Sequence, residues 1–128
     1  MRREFAEKTL AFIENECKSK LENEIRNVLA VRVDLEFSIE EMRYGNYYIK
    51  AKDAYDNVND KMTCNPLLKQ LFESAELVVN VYANDEVEEQ GVFFNIGVSY
   101  KHGYNGGSNG HDLMAVAIDS KGNVEVRK

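Results

Sequence analysis

Residues 31–40 read Val-Arg-Val-Asp-Leu-Glu-Phe-Ser-Ile-Glu, a regular alternation of apolar and polar side chains. Successive side chains of a β-strand point to opposite faces, so this period of two predicts a half-buried strand with one solvated face. The turn signal Tyr44-Gly45-Asn46 follows, and apolar residues then recur at every second position from Tyr47 to Ala51. The stretch therefore predicts an antiparallel hairpin, in which a tight turn would place Glu40 near Lys50.

The segment before this hairpin, roughly Arg3 to Val28, has a helical period instead. Its apolar residues recur at intervals of three, four or eight and form one stripe: Phe5, Ile13, Cys17, Leu21, Ile25 and Val28. Such a stripe is typical of a helix that covers one face of a sheet. A homodimer formed through this helix is an alternative, although the adjacent Phe12 and Ile13 blur the heptad pattern that a coiled coil needs.

A second, shorter helix is predicted after the hairpin. Residues 53–65 are polar and show no period, which predicts a loop. Asn65 and Pro66 then indicate a helix start, because an asparagine side chain caps well and proline suits the first helical position. The apolar face of this helix is expected to consist of Leu67, Leu68, Leu71, Phe72 and Ala75.

Four further strands are predicted, over residues 77–83, 92–100, 113–118 and 124–126. Adjacent hairpins favour an antiparallel sheet with the helices gathered on one face or end. The expected fold class is therefore α+β in the order α-β-β-α-β-β-β-β: an antiparallel sheet of about six strands with a long N-terminal helix and a short second helix packed on it. With 128 residues, the chain (residues 1–128) is expected to form a single α+β domain.

Composition excludes several classes of function. The 16 Lys and Arg residues against 22 Asp and Glu give a net charge of −6, whereas a protein that binds nucleic acid directly needs a basic surface. No apolar run is long enough to span a membrane, and Glu4, Glu7 and Glu14 interrupt any signal-peptide core. The two cysteines, Cys17 and Cys64, provide no disulfide framework, so a reducing cytoplasm is the expected location.

The negative charge is concentrated in one part of the sequence. No Lys or Arg occurs between Gln70 and Tyr100. The acids of this interval equal the whole net charge of −6, and they are Glu73, Glu76, Asp85, Glu86, Glu88 and Glu89. One interpretation is a docking surface for a basic partner, because such a field speeds encounter and fixes orientation. The other is a solvated turn that keeps the protein soluble.

The hairpin Leu77–Tyr100 is expected to have an unusual outward face. If its aliphatic residues point inward, the other side carries Asn80, Tyr82, Asn84, Phe93, Asn95, Gly97 and Ser99. This face is neutral and rich in amides and aromatic rings, which recognition surfaces use for rigid contact area and adaptable hydrogen bonds. Asn80, Tyr82, Phe93 and Asn95 are therefore candidate partner-binding residues. Alternatively, another element of the fold covers this face.

Residues 102–112 form a glycine-rich segment that is predicted to be a loop. Together with the preceding strand end it contains candidate ligand-binding side chains: Tyr100, His102, Tyr104, Asn105, Asn109 and His111. Aromatic stacking and amide hydrogen bonds can hold a base, so a nucleotide-like small ligand is the alternative function. The segment matches neither G-x-G-x-x-G before a helix nor the P-loop pattern. A plain flexible hairpin tip also accounts for the glycines.

Patterns typical of catalysis and metal binding do not occur. His102, His111, Asp112 and Cys64 match no zinc-site spacing, and Ser108 lies in no G-x-S-x-G nucleophile elbow. We therefore expect no catalytic residue, no metal and no cofactor.

In its size, its acidity and its segment Glu73–Glu89, the chain resembles small acidic inhibitors of phages and mobile elements, such as anti-CRISPR proteins. The resemblance implies binding to a CRISPR nuclease or similar defence complex, with a block of its target-DNA or guide interaction. The expected function is thus non-enzymatic, stoichiometric inhibition, in which an acidic and aromatic surface docks on the basic surface of a nucleic-acid-binding protein.

Overall fold

The structure is a computed structural model and describes residues 1–83, 91–103 and 107–128. In chain order the elements are α1 (Arg3–Phe12), a π-helical turn (Ile13–Cys17), α2 (Lys18–Leu29), β1 (Leu35–Glu41), a 3-10 turn (Arg43–Gly45), β2 (Tyr47–Asp53), α3 (Asn57–Thr63), α4 (Pro66–Leu71), β3 (Ser74–Tyr82), β4 (Val92–Lys101), β5 (Ser108–Ile118) and β6 (Val124–Arg127). The strands form one six-stranded antiparallel sheet in chain order. The predicted α+β class, the long N-terminal helix, the short helix at Pro66 and the antiparallel sheet are confirmed.

α1, the π turn and α2 form one continuous N-terminal helix whose apolar stripe is buried. Ile13, Cys17, Leu21 and Ile25 are fully buried against the sheet. Residues spaced by four advance about 40° beyond a full turn of an α-helix at each step, so a long series of them drifts around the helix. The wider π turn, whose hydrogen bonds run from i to i+5, takes up part of this drift and keeps the stripe on the sheet.

Polar contacts attach this helix to two distant parts of the sheet. The Glu22 carboxylate accepts a hydrogen bond from the Leu35 backbone N–H of β1 at 2.7 Å. The Lys20 ammonium donates to the carbonyl oxygen of Gly122, in the turn between β5 and β6, at 2.8 Å. The helix therefore crosses the sheet from its first strand to its last hairpin. We call the face that it covers the inner face and the opposite one the outer face.

The inner face has the predicted alternation. Leu77, Val79, Phe94, Ile96 and Val98 are all buried, whereas the residues between them on β3 and β4 are not, apart from a glycine in β4. The aliphatic side chains of the hairpin Leu77–Tyr100 thus point toward the helices, as the sequence predicted.

The first hairpin differs from its prediction in register. The structure places Glu40 opposite Tyr48, and Lys50 lies opposite Ser38. The predicted proximity of Glu40 to Lys50 is therefore wrong by two residues. The reason is the connection, which is longer than a tight turn: the Met42 N–H donates to the Asn46 carbonyl oxygen, so residues 42–46 form a five-residue loop.

The predicted loop over residues 53–65 contains a helix, α3. Only two of its seven residues, Val58 and Met62, are large and apolar, and they are four positions apart on one side. Met62 is buried in a second, smaller hydrophobic cluster with Ala75 and Val98 on the inner face. Two apolar positions give no recognisable period, so the helix depends on tertiary packing that the local sequence does not show.

α4 begins as predicted but does not bury the predicted face. The Asn65 side chain accepts hydrogen bonds from the backbone N–H groups of Leu67 and Leu68 at 3.1 and 3.3 Å, which confirms the cap. However, Leu67 and Leu71 are 72% and 63% exposed, and the helix ends before Phe72. With six residues, α4 packs mainly through Leu68, because so short a helix has no room for a second buried position.

The predicted loop over residues 102–112 is also wrong from Ser108 onward, because β5 begins there. Ser108 pairs with Lys101, and Gly110 pairs with Ser99. A glycine in the partner strand permits this pairing, since a Cβ atom on Gly97 would lie 2.5 Å from the His111 carbonyl oxygen. Backbone pairing with β4 thus extends β5 into glycine-rich sequence that favours a loop by itself.

Candidate functional site

The outer face is not covered by any helix among the described residues. The buried side chains of the N-terminal helix and of α3 pack only with inner-face residues. Asn80 lies opposite Asn95, and Tyr82 lies opposite Phe93, so these four predicted partner-binding residues lie together on the outer face. We call them the amide–aromatic patch. The alternative that another element covers this face finds no support in the described part of the chain.

The patch presents both a ring pair and oriented amides. The rings of Tyr82 and Phe93 lie 6.2 Å apart between centroids at an interplanar angle of 44°, and Tyr82 is 55% exposed. The Asn95 side-chain amide donates to an Asp112 carboxylate oxygen at 3.0 Å. Asp112, which the sequence placed in a loop, lies in β5 opposite Gly97. This hydrogen bond orients Asn95, so one polar member of the patch is held in place before any partner binds.

Sequence reasoning missed other neutral residues of the same face. Val78 lies opposite Gly97, while Ala115 and Ala117 lie opposite Asn95 and Phe93. Their side of the sheet follows from alternation with the buried Leu77, Val116 and Ile118. The period of two was therefore the signal that could have found them.

A broad depression with a volume of about 1020 Å³ lies at the Tyr82 end of the sheet. Residues of both faces border it, from the outer face Tyr48, Tyr82, Phe93 and Ala117 and from the inner face Val81 and Val92. Met42, from the connection between β1 and β2, also contributes and is 56% exposed. Exposed methionine and aromatic side chains around a depression are typical of protein-recognition surfaces.

The charge of the outer-face side chains differs between the first hairpin and the central strands of the sheet. On the outer face of β1 and β2, Glu36 lies directly opposite Lys52, which makes a charged cross-strand pair. β3 and β4 carry the four neutral residues of the amide–aromatic patch, and the Asp112 carboxylate of β5 lies beside Asn95. The outer face therefore has neutral aromatic and amide side chains next to charged ones, a mixture that recognition surfaces share.

The six acids predicted as a docking surface are not one described cluster. Glu73 and Glu76 are exposed, and Glu76 lies opposite Ser99 on the outer face. Asp85, Glu86, Glu88 and Glu89 lie outside the described residues. Glu76 and Ala83, the last described residue before them, are separated by roughly 20 Å along β3. Only Glu76 of the six is thus placed on the same face as the patch.

Some of the candidate ligand-binding residues lie close to one another in the structure. Phe72 stacks on Tyr100 at a centroid distance of 4.8 Å and lies 5.0 Å from the His102 ring. Tyr100 also meets His111 edge-on at 6.1 Å. Asn109 lies opposite Tyr100 in β5, whereas Tyr104 and Asn105 are outside the described residues. The structure thus forms an aromatic row at this edge, which includes Phe72 in addition to the predicted residues.

The cysteine thiols have different surroundings. Cys17 is fully buried, and this burial raises the pKa of its thiol to about 12, so no reactive thiolate forms there at neutral pH. Cys64 is exposed at the end of α3. Among the described residues, no group of three or more His, Cys, Asp or Glu side chains is placed to hold a metal ion.

Comparisons of the chain with models of protein families, with curated proteins and with solved structures found no match. In the described ranges, no helix has both the length and the apolar character that crossing a membrane requires.

Proposed function

We propose that the protein is a non-enzymatic, stoichiometric inhibitor that binds a nucleic-acid-binding protein, such as a defence nuclease, in the cytoplasm. The observation that carries this proposal is the amide–aromatic patch, which is open on a sheet whose other face packs against the helices. Tyrosine, phenylalanine and asparagine on a rigid sheet offer a preorganised contact surface at low entropic cost.

The dimensions of the outer face suit a protein partner. Strands about 4.8 Å apart, with a rise of about 3.4 Å per residue, give a face of roughly 24 by 25 Å, or about 600 Å² in projection. Side chains enlarge that area, and a stable interface buries about 800 Å² on each partner. The outer face with its rim therefore supplies about the area that a specific complex needs.

Charge indicates the class of partner. The protein has a net charge of −6, so its long-range field attracts a basic surface and repels nucleic acid. Basic grooves that bind DNA or RNA have this complementary sign. If charge steers the encounter, replacing Glu86, Glu88 and Glu89 with Gln should lower the association rate and reduce its salt dependence.

A pair of variants tests the patch. The double variant Tyr82→Ala with Asn95→Ala removes one ring and one oriented amide, and we expect partner affinity to fall roughly tenfold or more through faster dissociation. Tyr55→Ala is the matched control, because Tyr55 is 46% exposed and lies outside the patch, beneath the Arg32 guanidinium. Equal loss of affinity in both variants would refute the assignment of the patch.

The number of equivalents needed to block the partner distinguishes a stoichiometric inhibitor from an enzyme. Titration into a fixed amount of the captured partner should abolish its nucleic-acid binding near one equivalent and without time dependence. Loss of that binding at a small fraction of one equivalent, increasing with incubation, would instead show catalytic turnover and contradict the proposal.

A nucleotide-like ligand at the aromatic row is the second candidate function. The stacked Phe72 and Tyr100 rings with His102 and His111 favour it, because aromatic side chains bind bases by stacking. A thermal-shift screen with nucleotides tests it, since a ligand at 100 times its Kd adds about 2.7 kcal/mol of stability. No shift at millimolar nucleotide would reject this candidate.

A further inference from the structure

A second cavity lies on the inner face, away from the amide–aromatic patch. It is a cleft of about 220 Å³ between the end of the N-terminal helix, α3, α4 and the sheet. Met62, Leu68, Leu77 and Val98 are among the side chains that line it. Among the described residues that line it there is no carboxylate, and the polar-tipped ones are Lys61 and Tyr100.

The cleft lies where two hydrophobic clusters meet, and Val58 of α3 packs against both of them. Leu77 belongs to the large cluster under the N-terminal helix, whereas Met62 and Val98 belong to the smaller cluster under α3. Leu113, at the bulge of β5, is 39% exposed at the edge of the same cleft. Leu113 and the half-buried Val58 and Leu68 leave apolar surface in the cleft, so an apolar molecule gains energy by covering it.

Lys61 adds a positive charge to this apolar lining. Its ammonium donates to the Ala30 carbonyl oxygen at 2.6 Å, and Ala30 caps the C-terminal end of α2. An ammonium group has three N–H donors, and this bond uses one of them. Lys61 is exposed, so a ligand that enters the cleft can place an acceptor against it.

We propose that the cleft binds a small monocarboxylate with an aromatic or short aliphatic body, and that the carboxylate pairs with Lys61. The volume agrees with this class: a cavity of about 150 Å³ holds benzene, so a cleft of about 220 Å³ accommodates a ring with a short side chain. A nucleotide is too large and too polar for it. This site is independent of the outer-face function.

The probe is 3-phenylpropanoate, compared with the neutral 3-phenylpropanol, in a titration followed by methyl NMR. We expect saturable binding of the carboxylate with a Kd of roughly 0.1–3 mM, as suits a ligand of this size. The Met62 and Leu68 methyl signals should shift, and the alcohol should bind about two- to fivefold more weakly because it lacks the ion pair.

Two variant pairs provide controls. Leu68→Phe should fill the cleft and weaken binding at least tenfold, whereas Leu67→Phe, on the exposed side of the same helix, should not. Lys61→Met should remove the preference for carboxylate over alcohol, whereas Lys69→Met, which is outside the cleft, should retain it. If Leu68→Phe does not fold, the methyl shifts of the unmodified protein locate the ligand instead.

Three results would overturn the proposal. The first is that binding of 3-phenylpropanoate does not saturate up to about 10 mM. The second is that the methyl signals that shift belong to residues away from the cleft. The third is that the unmodified protein binds the carboxylate and the alcohol with equal affinity.

Discussion

Leu21→Ala tests the arrangement that leaves the outer face free. Leu21 is fully buried near the middle of the stripe that packs on the sheet. Truncating a buried leucine to alanine costs about 2–5 kcal/mol, and the cost is higher where the surroundings cannot collapse into the cavity. Because the N-terminal helix is attached to β1 and to the β5–β6 turn, we expect limited collapse and a loss of about 3 kcal/mol.

Urea denaturation followed by far-UV circular dichroism measures this loss. With a slope of about 1.5–2 kcal/mol per molar, the midpoint should fall by about 1.5–2 M without a change of slope. Leu67→Ala is the matched control, because Leu67 is 72% exposed, and its stability should change by no more than about 0.5 kcal/mol. A loss below about 0.5 kcal/mol for Leu21→Ala would refute the packing of the helix on the sheet, and with it the distinction between a covered and a free face.

Three further predictions concern individual residues. At pH 8, a thiol reagent should label exposed Cys64 rapidly and buried Cys17 only on unfolding, because burial raises the Cys17 pKa to about 12; rapid native labelling of both would contradict this. Hydrogen bonds from Asn123 lower the pKa of Asp119, so the stability that its carboxylate contributes should be lost as pH falls below 3.8. Asp119→Asn should therefore make the fall of the melting temperature between pH 4 and 2 less steep than in the unmodified protein. An unchanged profile would be evidence against those hydrogen bonds. Gly91→Ala should lower the free energy of unfolding, measured by chemical denaturation, by about 2 kcal/mol or more. The reason is that Gly91 has φ +76° and that a Cβ atom there would overlap the Ile118 carbonyl oxygen at the end of β5. An unchanged free energy of unfolding would refute that geometry.

Much of the fold was predictable because its signals are local and periodic. The helix stripe around Leu21, the Asn65 cap and the inward alternation of β3 and β4 each depend on residues close together in sequence. These features act before any long-range packing is considered, so periodicity and capping chemistry were sufficient to place them.

Other features depend on contacts between distant segments. α3 folds because Met62 packs on Val98, and β5 extends to Ser108 because β4 pairs with it. Neither contact has a local signature, so both segments were predicted as loops. The candidate site shows the same division: alternation predicted the amide–aromatic patch, whereas the hydrogen bond from Asn95 to Asp112 depends on the pairing of β4 with β5.

Hydroxyl-radical footprinting of the complex with its partner is the most direct measurement of whether the outer face is the binding surface. Tyr82 and Tyr55 are a matched pair in the free protein, at 55% and 46% exposed, and only Tyr82 belongs to the amide–aromatic patch. We expect partner binding to protect Tyr82 and Phe93 from oxidation several-fold and to leave Tyr55 unchanged. Protection of Tyr55 with continued oxidation of Tyr82 would place the partner elsewhere and contradict the proposed function.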